Sequence, residues 1–179
     1  MSMRLEFATP LGEAPGIIAS LLKRSYVDLV ASEPSVWKAE QARWEQYDRD
    51  VFEQPATVGA SVFLTRLDGV IVGFASWDPR QGPRGAIVGH NCILPEFRGR
   101  GFGREQMQEV LRRFKDMGIQ TARATTCDHP FFVPAQHMYR ACGFREVRRI
   151  PWDRDSGRRV IEYERLIESP FNTRPMERS

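Results

Sequence analysis

Residues Ala86 to Gly118 constrain this chain more than any other segment, because three signals follow one another without a gap. An apolar run from Ala86 to Leu94, closed by Pro95, reads as a buried strand. The glycine-rich stretch Arg98-Gly99-Arg100-Gly101-Phe102-Gly103 comes next. Met107, Val110, Leu111, Phe114 and Met117 then recur at three-four spacing, an amphipathic helix that Gly118 ends as a C′ residue. A strand passing through glycines into a helix start leaves unpaired N–H groups at the positive end of the helix dipole. Glycine also removes the Cβ that would hold an anion away from the main chain. The expected ligand carries phosphates.

Spacing excludes two other phosphate loops. No Lys-Ser or Lys-Thr pair follows a glycine, as a P-loop requires, and the dinucleotide pattern Gly-x-Gly-x-x-Gly meets Arg104 or Gln106 where its last glycine belongs. What remains, Arg98-x-x-Gly101-x-Gly103, resembles the acyl-CoA pyrophosphate signature of the GNAT superfamily of N-acetyltransferases. Thr121 to Cys127 reads as a strand, and Ala135-x-x-x-Tyr139-x-x-x-Gly143-Phe144 resembles the second signature of that superfamily. The likeness runs from about Ser61 to Ile167, and the first sixty residues match in element order alone. It implies an α/β fold whose mixed, mostly antiparallel sheet of about seven strands splays between its fourth and fifth strands, with about four flanking helices.

The length of 179 residues suits one domain, residues 1–179, able to bury a core without disulfides or metal, with a loose tail from Glu168. Cys92, Cys127 and Cys142 are odd in number and lack Cys-x-x-Cys spacing, so neither a disulfide framework nor a zinc site is expected. No apolar h-region follows Met1 and no apolar run nears the ~20 residues that span a bilayer, so the expectation is a soluble, cytoplasmic protein. The net charge of +3 is mild. A modestly positive cleft favours encounter with polyanionic CoA. Arg145, Arg148, Arg149, Arg154, Arg158 and Arg159 gather near the last hairpin and read first as a solvated strand face, second as a nucleic-acid patch.

Outside the likeness, Arg4 to Thr9 reads as a strand, Ala14 to Ala31 as one helix, and about Ser35 to Phe52 as a second. Asp68-Gly69 between Ser61–Leu67 and Val70–Trp77 is a two-residue hairpin signal. Arg145 to Ile150 and Arg158 to Ile167 are the last two strands, joined around residues 153–157. Trp37, Trp44 and Trp152 fit packing first and an aromatic rim for an apolar or cationic acceptor second.

The resemblance implies acetyl-CoA as cosubstrate, no metal, and transfer of acetyl to a primary amine of a small molecule or peptide by direct attack. Carried over by position, the phosphates fall to backbone N–H groups from Gly99 to Arg104, Phe102 and Gly103 included. Arg98, Arg100 and Arg104 add charge. Ile93 offers its N–H to the thioester oxygen, freed by a bulge that family members usually carry. Tyr139 is the expected general acid.

The general base stays open among His90, Asp128 and His129, and some relatives need none. Many relatives place Glu or His about four residues before the Ile93 position, which here is Gly89; His90 follows it and alternation turns it to the other face unless a bulge intervenes. Phe132 stands where many relatives carry an Asn that contacts the pantetheine arm. Two alternatives accompany the enzyme reading: a CoA-binding sensor or scaffold without turnover, and an acetyltransferase of aminoacyl-tRNA. Homodimers are common in the superfamily, and a homodimer stays open.

Overall fold

The computed structural model describes residues 4–152 and 157–168. Seven strands form one sheet: β1 (Leu5–Ala8), β2 (Val62–Leu67), β3 (Val70–Asp78), β4 (Ala86–Ile93), β5 (Thr121–Cys127), β6 (Arg145–Pro151) and β7 (Arg159–Leu166), in the order β1-β2-β3-β4-β5-β7-β6. Only β4 and β5 run parallel, and they pair at Ala86 with Ala122 and Ile87 with Arg123 before parting. Every other neighbouring pair is antiparallel. The mixed sheet is the one expected from the sequence, with its opening between the fourth and fifth strands.

The helices are α1 (Ile17–Ser25), α2 (Val27–Ser32), α3 (Pro34–Glu53), α4 (Phe102–Asp116) and α5 (Val133–Ala141). The apolar face over Ala14 to Ala31 suggests one helix, and here the structure differs: the chain breaks at Tyr26, whose φ is −111° and ψ 12°. The carbonyl of Ser25, which a continuous helix would give to Leu29, instead accepts from Arg98 Nη2 at 2.7 Å. That bond comes from a residue far along the chain and carries no local sequence signal.

Strand alternation divides the core into two faces. Phe63, Ala75, Met107, Val110, Phe114, Tyr139 and Tyr163 pack under α4 and α5, whereas Leu64, Phe74, Ile18, Leu22, Trp44 and Val51 pack under α1 and α3. Asp68 (φ 49°) and Gly69 (φ 84°) both take the left-handed region, the geometry of the tight turn that matches strand twist, and Leu67 pairs Val70. Among the described residues no helix is long and apolar enough to cross a membrane.

One buried carboxylate joins α3 to α1. Asp48, 4% exposed, accepts from the N–H groups of Gly16 at 2.6 Å, Ile18 at 2.8 Å and Ala19 at 3.2 Å. It caps a helix that has no side-chain cap of its own, and its charge complements the helix dipole. Asp48→Ala leaves these donors without an acceptor and is expected to cost about 3 kcal/mol. Urea denaturation should show a lowered midpoint with an unchanged slope; a midpoint equal to that of the unsubstituted protein would contradict the assignment.

Candidate active site

At the start of α4 the chain builds the anion cradle from its own backbone. Gly99 and Gly101 take φ of 75° and 86°, and a Cβ on either would meet no atom within 4 Å, so conformation and not crowding demands glycine there. The N–H groups of Gly99, Arg100, Gly101, Phe102 and Gly103 donate to no acceptor among the described residues; the first main-chain donor after them is Arg104, to the Gly101 carbonyl at 2.9 Å. Five successive unpaired amides at a helix start form a concave donor surface. Arg104 lines the adjoining cavity, and its guanidinium has no hydrogen bond or ion pair among the described residues. Arg98 is held otherwise: its Nε donates to the Ile93 carbonyl at 2.9 Å and its Nη2 to the Ser25 carbonyl. It braces the turn against β4 and α1. Arg100 lies over the Phe97 ring at 5.8 Å.

Two cavities flank the point where β4 leaves β5. One, of ≈ 450 Å³, runs from the turn past Ile93, Phe131 and Met138. The other, of ≈ 570 Å³, lies among Trp37, Tyr47, His90, Tyr139 and Trp152. Tyr26, Asn91, Phe132 and Ala135 line both, so the two meet at Asn91. Phe132 thus forms part of the dividing wall, with its ring 5.8 Å from that of Trp37 and 6.2 Å from that of Tyr26.

Backbone geometry at the junction follows from register. The Leu94 N–H bonds the Val72 carbonyl at 2.8 Å, so the N–H and carbonyl of Ile93 point away from β3, toward the opening. Upstream, Ala75 pairs Asn91 and Trp77 pairs Val88, which places two residues, Gly89 and His90, opposite Ser76 alone. This bulge lies before Ile93, not at it. A Cβ on Gly89 would come within 2.7 Å of Ser76 Oγ, which itself donates to the His90 carbonyl at 3.0 Å. The bulge supplies the condition under which His90 reaches the cavity side. Its ring lies 5.0 Å from that of Tyr47, and burial holds its pKa below the ordinary value.

Tyr139 is 3% exposed, and burial pushes its phenol up to about 12. Asn91 Nδ2 donates to its oxygen at 3.1 Å, which leaves the phenol hydrogen free to donate elsewhere. Asn91 was not legible as a site residue: an Asn in a buried strand gives no signal until its partner, 48 positions away, is placed.

Asp128 stands apart from both cavities. Its carboxylate accepts from the Arg159 N–H at 3.0 Å and its own N–H donates to the Arg159 carbonyl at 3.0 Å, closing the end of the β5–β7 ladder. His129 Nδ1 accepts from the Phe131 N–H at 3.1 Å, and its Nε2 faces Glu33 at 3.6 Å. Three arginines of the basic hairpin are paired: Arg148 with Glu162 at 2.6 Å and Arg149 with Glu146 at 2.5 Å within it, and Arg158 with Glu33 before α3. Arg154 and the tail beyond Glu168 lie outside the described residues. Among the described residues no group of three or more His, Cys, Asp or Glu is arranged to hold a metal ion.

The splayed mixed sheet with a donor turn at its mouth is the arrangement that the sequence resemblance implies. The sequence profile of the acetyltransferase (GNAT) family matches residues 25–144, and the chain belongs to that family. No curated protein sequence matches it. Among solved structures, one described as a GNAT-family acetyltransferase from Desulfovibrio desulfuricans superposes with a TM-score of 0.69 at 16% identity, covering 93% of this chain and 100% of that one. Ard1 from Thermoplasma volcanium gives 0.66 at 18% identity over 92% and 99% of the two chains. A structure described as a streptothricin acetyltransferase from Bacillus anthracis, in complex with acetyl coenzyme A, gives 0.54 at 16% identity over 60% and 62%. At such identities the likeness is one of fold.

Proposed function

We propose that this protein is an acetyl-CoA-dependent N-acetyltransferase, a single catalytic domain that acts on a primary amine of a small molecule or peptide by direct attack. One observation carries the proposal: of five successive unpaired amides, four belong to residues lining a cavity that meets a second, aromatic cavity at Asn91. The Bacillus anthracis structure is a complex with acetyl coenzyme A, and the unpaired Arg104 guanidinium beside the donor turn suits the diphosphate of that molecule. Bound there, acetyl-CoA supplies an activated thioester.

The chain's residues then have separable roles. The amides of residues 99–103 and Arg104 hold phosphate, while Arg98 keeps the turn in place. The Ile93 N–H, directed into the opening, stabilises charge developing on the thioester oxygen, a contribution of about 2–4 kcal/mol for one such donor. His90, kept neutral by burial, takes the proton of the incoming ammonium, directly or through water. Asp128, assigned to ladder closure by its bonds, does not serve as base in this account.

Tyr139 donates to the leaving thiolate. A phenol near 12 facing an ordinary thiol near 8.5 is mismatched by more than three units, about 5 kcal/mol. The opening offsets part of this, because burial there also raises thiols: Cys92, on its wall, is pushed up to about 11. A thiolate departing into apolar surroundings is raised in the same direction, which narrows the mismatch.

Release of CoA thiol from acetyl-CoA across a panel of amines tests the reaction, and its pH dependence tests His90. A depressed histidine pKa means that the neutral base persists through neutral pH and is lost as pH falls through a midpoint below 6.5. At saturating acceptor, kcat should fall on an acid limb centred below that value. His90→Gln should flatten the limb and lower the plateau about tenfold or more; an unaltered limb in that variant would remove His90 from the role.

A further inference from the structure

Resting on the transferase reading, we infer that the amine acceptor is a cation with a flat apolar or aromatic body and no carboxylate or phosphate. The inference comes from the contrast between the two cavities. The first is bordered by Arg98 and Arg104. Among the described residues that line the second there is neither Lys nor Arg, and the ionisable side chains with negative charge are Glu40 and Asp78. An anionic group entering it would lose its hydration and meet no compensating cation among the described lining residues, whereas an ammonium meets acidic and aromatic partners.

The aromatic lining is arranged as walls, not as scattered packing. Trp37 sits at the centre, its ring 5.7 Å from that of Trp152 and 5.8 Å from that of Phe132, and its Nε1 donates to Glu33 Oε2 at 3.1 Å. Arg158 pairs with the other oxygen of Glu33, so the wall is tied to the residue just before β7. Trp152 is 41% exposed and forms the outer edge. Tyr26 and Trp44, with rings 5.3 Å apart, continue the lining inward. These rings border the cavity that also holds His90 and Asn91, where a primary amine must end.

The acids suit a cation held at the entrance. Arg80 takes both oxygens of Asp78, at 2.8 and 2.9 Å from its Nε, but Glu40 gives only Oε1 to Arg43. Oε2 of Glu40 carries no hydrogen bond among the described residues and is the accessible partner for an arriving ammonium. A cavity of ≈ 570 Å³ lies within the range of small-molecule sites and accommodates one ring with a short chain.

Three amines separate charge from shape: 2-phenylethylamine, phenylalanine, which adds only a carboxylate, and ethylamine, which lacks the ring. Calorimetric titration into CoA-saturated protein reads the acceptor site without turnover, and thiol release from acetyl-CoA reads the reaction. 2-Phenylethylamine is expected to bind at least tenfold more tightly than either comparator and to show the highest kcat/KM. Trp37→Ala should weaken its binding about tenfold, and Trp152→Ala, at a more exposed site less prone to unfold the protein, about fivefold. Both should leave acetyl-CoA binding unchanged. Equal or tighter binding of phenylalanine or ethylamine, or indifference to both tryptophan variants, overturns the inference while leaving the transferase reading intact. Selective 2-phenylethylamine binding without thiol release overturns the transferase reading and supports the site's ligand class.

Discussion

Tyr139→Phe is expected to lower kcat about a hundredfold while KM for acetyl-CoA stays within twofold, because general acid assistance typically contributes 10²–10⁴. The substitution removes one oxygen from a ring that already packs at 5.4 Å against both Phe144 and Tyr163, so the core keeps its volume. What changes is that Asn91 Nδ2 loses its acceptor and the departing thiolate loses its donor. Asn91→Ala provides the companion measurement. It frees the phenol to rotate without deleting it, and a smaller fall in kcat, about tenfold, follows if Asn91 acts by orienting Tyr139. With the phenol near 12, the unsubstituted enzyme should show no tyrosine-dependent alkaline limb below about pH 10. Full kcat in Tyr139→Phe at every pH would end the assignment.

The second large effect is expected at Gly101, where φ is 86° and the surroundings are open. The Cβ of Gly101→Val meets no neighbour within 4 Å, but a β-branched residue resists that region of backbone space, at a cost of about 1–3 kcal/mol. The turn relieves the strain by rotating its amides, and KM for acetyl-CoA should rise tenfold or more with kcat nearly retained. Arg104→Ala keeps the amides and removes only charge, so its KM effect should be smaller and should shrink as salt increases. A Gly101→Val enzyme with unchanged KM would mean that phosphate is held elsewhere.

What the sequence revealed and what it concealed divide along the range of the interactions involved. The turn, the helix after it, the Asp68-Gly69 hairpin and the two signatures are local, each written within about fifteen residues, and each stands in the structure. The break at Tyr26 depends on Arg98 reaching Ser25 across 73 positions. The Asp48 cap spans 30. The bulge at Gly89 and His90 reflects an extra residue counted against β3, and no composition rule marks it before the register is known. Arg98 reads in the sequence as a phosphate ligand and in the structure as a brace, because its side chain turns toward two carbonyls that sequence spacing does not bring near. Arg148, Arg149 and Arg158 of the last hairpin find their acids on β7, on β6 and before α3, so part of a run of positive charge in the chain is neutralised in the fold.

The central claim is that backbone amides of residues 99–103 grip the diphosphate beside the parted strands. Amide-resolved NMR of the isotopically labelled protein during titration with CoA addresses it directly, since each of those five N–H groups reports separately. The account predicts that all five shift downfield and become protected from solvent exchange, while CoA lacking its 3′-phosphate still produces the same changes. If the five resonances stay in place at saturating CoA while signals elsewhere move, the diphosphate lies at another site and the account is wrong.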